Sequence, residues 1–508
     1  MGARRKTVFA LIPTLLLLGI LAIGFVGEPE NDPWLNASPL WGPGDPFYVD
    51  DPAKTHSLAD PVLIWRGRPH YEAVYTYLVP NPYKHNAYGL RDDELVDPKP
   101  AGTVRVVNVG DSSTWGLNLP EREATYTDQL QRLLDERVNE RWDIVNGGVV
   151  GYSSFQTLQL VRHWLDDLEP DVVTVYAGNN DPGPAVVGDV ARVAATSGRL
   201  HGALYRNRFY LLLVKGLQHL RAARIERERE TLGERAEHES KAGFYRAGVR
   251  VSPDEHEANL RALVAFVREA GRRPILLKVP MNLVWPQRVQ PYVEQVLRPD
   301  RFWGTVKIEL GYLVRQRAGK DPCFHRPLPG HPYLCLVTRR DLERAGLPDP
   351  EALARQAADP ERSERDRLWA VHNGAVWRFA EGDVAGALAG FEGVAAGAEA
   401  CDCVEPKHLS WVHHNLGIAR LLLGRQEEAF DALVRSRRTW PFAMSPDYGE
   451  RFDRVVAELD VESVDLQRAF REVDPAFFGS ALIHDWVHPN AQGNAVIARA
   501  LADKLEPR

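Results

Sequence analysis

From residue 103 onward the chain alternates two hydrophobic rhythms. Apolar runs of strand length end in polar, mostly glycine-containing turns, and apolar positions at helical spacing follow. Thr103–Val109 is the first strand, and Tyr126, Leu130, Leu133, Leu134 and Val138 mark its helix. Asp143–Asn146 predicts a second strand, with Ser154 capping a helix that ends near Leu168, and Asp171–Tyr176 predicts a third. Ser252-Pro-Asp-Glu255 reads as a capping box with proline at the first helical position. The helix it opens buries Leu260, Leu263, Val264 and Val267, and Gly271 sits where a C-cap is wanted. Pro274–Pro280 is a fourth strand; Val461–Asp465, a helix near Leu466–Arg471 and a closing helix through Ile497, Leu501 and Leu505 complete the series. Such alternation predicts right-handed crossovers and a parallel sheet covered by helices on both faces.

The rhythm fails in three places. Residues 28–100 are rich in proline, tryptophan, tyrosine and aspartate with little periodicity, and predict a stalk that becomes an irregular extension lying against the next domain. Within it, Arg91 reads as a surface salt-bridge former, with substrate contact the less favoured role. A charged helix is expected from Leu211 to about Ala236, its Arg/Glu runs forming a solvated face. The third break runs from 286 to about 455, where two pieces resemble each other at a constant offset of 42 residues: Asn373 and Asn415, Gly382 and Gly424, Ala387 and Ala429. With the closing Trp440-Pro441 they resemble a tetratricopeptide (TPR) repeat, whose usual period is about 34 residues. A helical hairpin insertion without binding function is the equal alternative. Two repeats seldom stand alone, so these helices should pack on the neighbouring domain or on a protein partner.

The first residues change the cellular picture. Arg4-Arg5-Lys6 precedes an uncharged apolar run from Val8 to Val26, and Glu28, Glu30 and Asp32 follow. Its length suits a membrane-crossing helix, and the charge asymmetry predicts the N-terminus in the cytoplasm and the remainder outside. A cleaved signal peptide is the rival reading, disfavoured because no small-x-small site follows the run. The expected organisation is therefore an anchor at 1–27, an extension at 28–100, an α/β domain at 101–285, insertions at 286–365 and 366–455, and the end of the α/β domain at 456–508. A chain of 508 residues with 44% hydrophobic and 26% charged residues is ordinary globular protein of more than one domain. A net charge of -7 with no basic stripe argues against nucleic acid as a partner. Of the four cysteines, Cys401 and Cys403 look too close for an easy mutual bridge, Cys323 and Cys335 look able to pair, and none has zinc-ligand spacing. No metal or cofactor is expected.

Four short segments carry candidate chemistry: Gly110-Asp-Ser112, Asn146-Gly-Gly-Val-Val-Gly151, Gly178-Asn-Asn180-Asp181 and Asp485-Trp-Val-His488. Three follow predicted strands and one precedes the last helix, so a parallel sheet brings all four to one edge. Acyl transfer needs these groups. Ser112 would attack a carbonyl carbon, His488 would take and return the proton, and Asp485 would hold the imidazole in its productive tautomer. The Ser112 and Gly151 backbone N–H groups and the Asn180 amide would stabilise the oxyanion. Ser113 reads as a structural turn hydroxyl, His484 as a surface or substrate-side residue, Asn179 as structural and Asp181 as a bond to loop backbone. Trp115 and Trp486 read as packing, with walling of the site the less favoured role.

This set resembles the SGNH (GDSL-type) hydrolase superfamily, whose four blocks supply Ser, Gly, Asn and His; here they fall on Ser112, Gly151, Asn180 and His488, with Asp485. The resemblance covers about Thr103–Trp285 and Val461–Arg508. It implies a flavodoxin-like three-layer α/β/α core and a serine esterase acting on an ester-bearing substrate. With the predicted cell address, an O-acylated surface polysaccharide is the expected substrate class. Three alternatives stand beside this: an O-acyltransferase of the same fold, a lipid-processing enzyme acting at its own membrane, and an envelope scaffold in which TPR-like helices recruit partners and the hydrolase site is disused.

Overall fold

The computed structural model describes residues 21–36, 56–76, 80–137, 141–185, 188–196, 199–217, 248–284, 347–404, 406–439, 445–485 and 487–506, with short pieces at 19, 220, 307–308, 327–328, 331–336 and 339–344. Most of the apolar run at 8–26, most of the charged stretch at 211–236, Cys323 and Trp486 lie outside them. No helix among the described residues is long and apolar enough to cross a membrane.

Five strands form the central sheet: β1 (Thr103–Gly110), β2 (Arg141–Gly148), β3 (Val172–Tyr176), β4 (Arg273–Lys278) and β5 (Glu462–Asp465). Their order is β5-β4-β3-β1-β2 and every pairing is parallel. The chain starts in β1, steps to β2 on one side, then returns across β1 to β3. The order therefore reverses beside β1, the place where doubly wound sheets open a crevice at their carboxyl edge.

Alternation along the strands explains the layers. Val107 and Val109 point to one face, where they pack on α2 (Ser154–Leu168) and α3 (Pro253–Glu269) through Leu158, Leu165, Leu260 and Val264. Val106 points to the other, against α1 (Tyr126–Arg137) and the last helix, Ala491–Leu505, through Tyr126, Leu130, Ile497 and Leu501. Helix starts are set by side chains. Ser252 and Glu255 form the expected capping box, and Gly271 follows the end of α3 at φ +73. The cap of α2 is Ser153 rather than Ser154: its hydroxyl accepts the Gln156 N–H, and Gln156 returns the bond.

The extension is more regular than its composition suggests. Ser57–Asp60 pairs antiparallel with Ile64–Gly67, and Glu72–Thr76 with Pro80–Lys84. The prolines of the second hairpin interrupt the periodicity that announces a strand, yet Pro80 and Pro82 still face Thr76 and Val74 in register. Leu63, Ile64, Trp65 and Leu90 join the α2/α3 side of the core.

The helical insertion forms two hairpins, α4 (Glu364–Glu381) with α5 (Val384–Cys401) and α6 (Pro406–Leu422) with α7 (Gln426–Thr439), and α5 also packs on α6. The 42-residue offset has a structural counterpart: Gly382 and Gly424 both turn the chain at positive φ, and Ala387 and Ala429 are both fully buried. Their shared apolar cluster includes Leu283, Val284 and Phe478, so the hairpins dock on the α/β domain. One cysteine expectation is overturned. Cys401 and Cys403 form a disulfide, because Asp402 between them adopts φ +49 and turns the chain until their Cα atoms are 5.1 Å apart.

Candidate active site

β1 runs into Gly110, where a side chain would collide with Thr114 Oγ1 and the Tyr176 carbonyl. That vacancy lets the next turn fold tightly across the sheet edge. Asp111 caps a one-turn helix, Ser112–Trp115, by accepting the Ser113 N–H at 2.7 Å. Burial pushes the Asp111 carboxyl up to about 6, with the Ser113 bond opposing the shift. Gly116 closes the turn at φ +88, and its N–H donates to the Ser112 carbonyl. Gly148 of β2 completes the fit, since a Cβ there would lie 2.2 Å from the Trp115 nitrogen.

Ser112 Oγ lies 2.7 Å from His488 Nε2, and His488 Nδ1 lies 2.7 Å from Asp485 Oδ2. The three side chains are buried together although 376 residues separate the serine from the histidine. The Asp-x-x-His spacing works because Asp485 Oδ1 accepts the backbone N–H groups of Val487 and His488, both at 2.9 Å, closing a local turn. The His484 N–H then donates to the His488 carbonyl, and Ile483 bridges Pro489. Burial alone would raise the Asp485 carboxyl. The adjacent His488 ring and the Val487 and His488 N–H groups outweigh it, so the group sits below the usual carboxylate range. A carboxylate there accepts from Nδ1 and leaves Nε2 to accept the serine hydroxyl proton.

The oxyanion candidates flank this set. Gly110 is in register with Gly148 on one side and Tyr176 on the other, so the loops carrying Gly151 and Asn180 leave the same edge on either side of Ser112. Gly151 adopts φ +81. Asn180 Nδ2 donates to the Tyr152 carbonyl at 3.0 Å, tying the two loops together. Among the described residues, no intrachain hydrogen bond takes up the Ser112 or Gly151 backbone N–H.

Neighbouring residues divide between expectation and correction. Ser113 Oγ donates to the Val487 carbonyl at 3.3 Å and faces Asn179 Nδ2 at 3.5 Å, stitching three loops together. Asp181 does accept a backbone N–H, that of Ser154, but it also holds Ser154 Oγ and His256 in a buried network. His484 is half-buried beside the triad, and burial lowers its imidazole. Trp115 is core packing against Tyr83 and His85. Arg91 is not the surface ion pair expected: it is 1% exposed, stacks on Trp115, and donates to the Pro82, Gly116 and Leu119 carbonyls. Its guanidinium holds the turn behind the serine.

Sequence reasoning missed the supports of the histidine loop. Asn282 Nδ2 donates to the Asp485 carbonyl, and Asn118 Nδ2 approaches its carboxylate at 3.4 Å. Arg437, from α7, is buried and donates to the Asn282 carbonyl at 2.5 Å. Asn282 follows β4 at the reactive edge, which was a legible signal; Arg437 has none, because its partner is defined only by how the insertion docks.

Residues 109–301 match the model of the GDSL-like Lipase/Acylhydrolase family, a span that includes Ser112, Gly151 and Asn180 and ends before Asp485. No curated protein matches the chain. Solved structures to which the chain shows similarity include TesA (16% identity, TM-score 0.21), of which the chain covers 61% with 35% of its own length. LAE5, an alpha/beta hydrolase enzyme from the metagenome of Lake Arreo, Spain, is 15% identical with TM-score 0.31, over 80% of this chain and 97% of that one. A catalytic mutant of Axe2, an acetylxylan esterase from Geobacillus stearothermophilus, is 12% identical with TM-score 0.29, over 80% and 95%. The family match falls on the sheet edge that holds the buried serine, so residues 109–301 carry a GDSL-like lipase/acylhydrolase domain.

Proposed function

We propose that the protein is a serine esterase working through an acyl-Ser112 intermediate. The carrying observation is the unbroken relay of two 2.7 Å contacts from Ser112 through His488 to Asp485. Ser112 Oγ attacks the ester carbon as His488 Nε2 takes its proton. The C–O bond to the alcohol breaks as His488 returns that proton to the leaving oxygen. Water then repeats the sequence, its proton passing to His488 and back to Ser112 as the acid departs. Each oxyanion donor from Ser112, Gly151 and Asn180 lowers the barrier by about 3 kcal/mol. A fluorophosphonate probe should label the full chain and its Ser113→Ala variant but not Ser112→Ala, and Ser112→Ala should lose p-nitrophenyl acetate hydrolysis. Retained hydrolysis in Ser112→Ala would exclude the mechanism.

The reading extends to place and substrate. The basic residues before the Val8–Val26 run and the acidic ones after it support a single-pass anchor with the site outside the membrane. That address favours an O-acylated surface polysaccharide as acyl donor, its acyl group passing from Ser112 to water or to a sugar hydroxyl. TPR-like pairing of α4–α7 supports a protein partner on the same assembly. In a fractionated cell the full chain should sediment with membranes and be digested by protease added from outside; recovery in the soluble fraction would count against the anchor.

A further inference from the structure

The extension reaches the proposed oxyanion site through the Trp65 side chain. Trp65, in the strand Ile64–Gly67, is 4% exposed, and its indole Nε1 donates to the Val150 carbonyl at 3.0 Å. The Val150 carbonyl and the Gly151 N–H belong to the same peptide unit. In a planar trans peptide these two groups point in opposite directions, so fixing one aims the other. The indole also lies against Gly151 itself, where a Cβ would sit 3.1 Å from Trp65 Cζ2. Glycine at φ +81 has little steric preference of its own, and its flanking peptides need external restraint.

That restraint is built from several directions. The Tyr152 hydroxyl donates to the Trp65 carbonyl at 2.7 Å, and the two rings meet edge to face at 5.8 Å. The Arg250 guanidinium lies over the indole at 5.2 Å and donates to the Gly151 carbonyl at 2.7 Å. Both peptides around Gly151 are therefore held by their carbonyls, while the N–H of the first remains available.

We propose that Trp65 is a positioning residue: its indole N–H pins the Val150–Gly151 peptide so that the Gly151 N–H faces the oxyanion formed at Ser112. The inference rests on the esterase reading above. Without the pin, the peptide can rotate and present a carbonyl dipole where negative charge develops, which raises the barrier without altering ground-state binding.

The test uses the full chain carrying Trp65→Phe, which keeps a ring and removes the N–H. The isosteric replacement of Trp65 by 3-benzothienylalanine does the same with less change of shape, should phenylalanine compromise folding. Expected is a kcat for p-nitrophenyl acetate lower by about 10- to 100-fold, with KM within about twofold. Affinity for a trifluoromethyl ketone, which forms an oxyanion adduct, should fall by the same factor as kcat/KM. Ser112→Ala, measured alongside, separates the two claims. If Ser112→Ala is inactive while the Trp65 variants keep wild-type kcat and ketone affinity, the inference fails and the esterase reading stands. A loss confined to KM or to thermal stability overturns it equally, since it marks a packing role. If Ser112→Ala stays active, the reading falls and the inference with it.

Discussion

Among the described residues the Asp485 carboxylate has four hydrogen-bonding contacts, and each limits what a replacement can do. One oxygen accepts the N–H groups of Val487 and His488; the other faces His488 Nδ1 and Asn118 Nδ2. Asp485→Asn keeps the shape and can retain the backbone bonds. Its amide, however, favours the imidazole tautomer with the proton on Nε2, which cannot accept from Ser112. The expected outcome is a kcat lower by about 10⁴-fold with KM little changed, measured on p-nitrophenyl acetate. Residue-level roles divide by whether a partner is near in sequence. The Asp485–His488 pair could be read from its spacing, whereas Trp65, Asn282 and Arg437 gain meaning only from groups hundreds of residues away or in another element.

At the scale of elements, the insertion α4–α7 is joined to the histidine loop by a short chain of bonds. Arg437 on α7 donates to the Asn282 carbonyl, and the Asn282 amide donates to the Asp485 carbonyl. Burial lowers the Arg437 guanidinium to about 10, a measure of how far it is removed from water. Arg437→Met keeps most of the side-chain volume and leaves the Asn282 carbonyl without this donor. The variant should lose about 1–3 kcal/mol in urea unfolding. Its kcat should fall by roughly tenfold as the loop loosens, because small misplacements of a reacting group are costly. An unchanged kcat would show that the insertion docks without steadying the site. The repeat at a 42-residue offset predicted paired helices here, and helices are what form. Their seat on Leu283, Val284 and Phe478 follows from which apolar faces remained uncovered, a property of the assembled sheet.

For the whole molecule, the extension and the α/β domain share a half-buried carboxylate. Asp92 accepts the Asn146 N–H of β2 at 2.7 Å, and burial pushes its carboxyl from 3.8 up to about 7, against the opposing pull of that bond, the Asp93 N–H and Arg122. A raised carboxyl means that the folded state keeps a proton the unfolded chain has already released. Between about pH 4 and 7 stability should therefore fall as pH rises, being greatest below the unfolded value and lowest above the folded one. Asp92→Asn, neutral throughout, should flatten that slope in urea titrations across this window; an identical slope would place the linkage on other groups.

What the chain determined by itself was everything set by local chemistry. Strand-length apolar runs ending in turns, the Ser252 capping box and the glycines that permit tight approach specified the α/β elements, and parallel pairing brought four segments to one edge. The meeting of Ser112 and His488 was legible for the same reason: they stand at a strand end and in the loop before a helix, positions that pattern locates and the family resemblance singled out. Tertiary structure decided the rest. It turned an aperiodic, proline-rich stretch into two hairpins, closed Cys401 onto Cys403 through a left-handed residue, buried Arg91 behind the serine, and aimed Trp65 at Val150. Each of these depends on a partner supplied by packing, and a one-dimensional pattern carries no record of which surface will meet which.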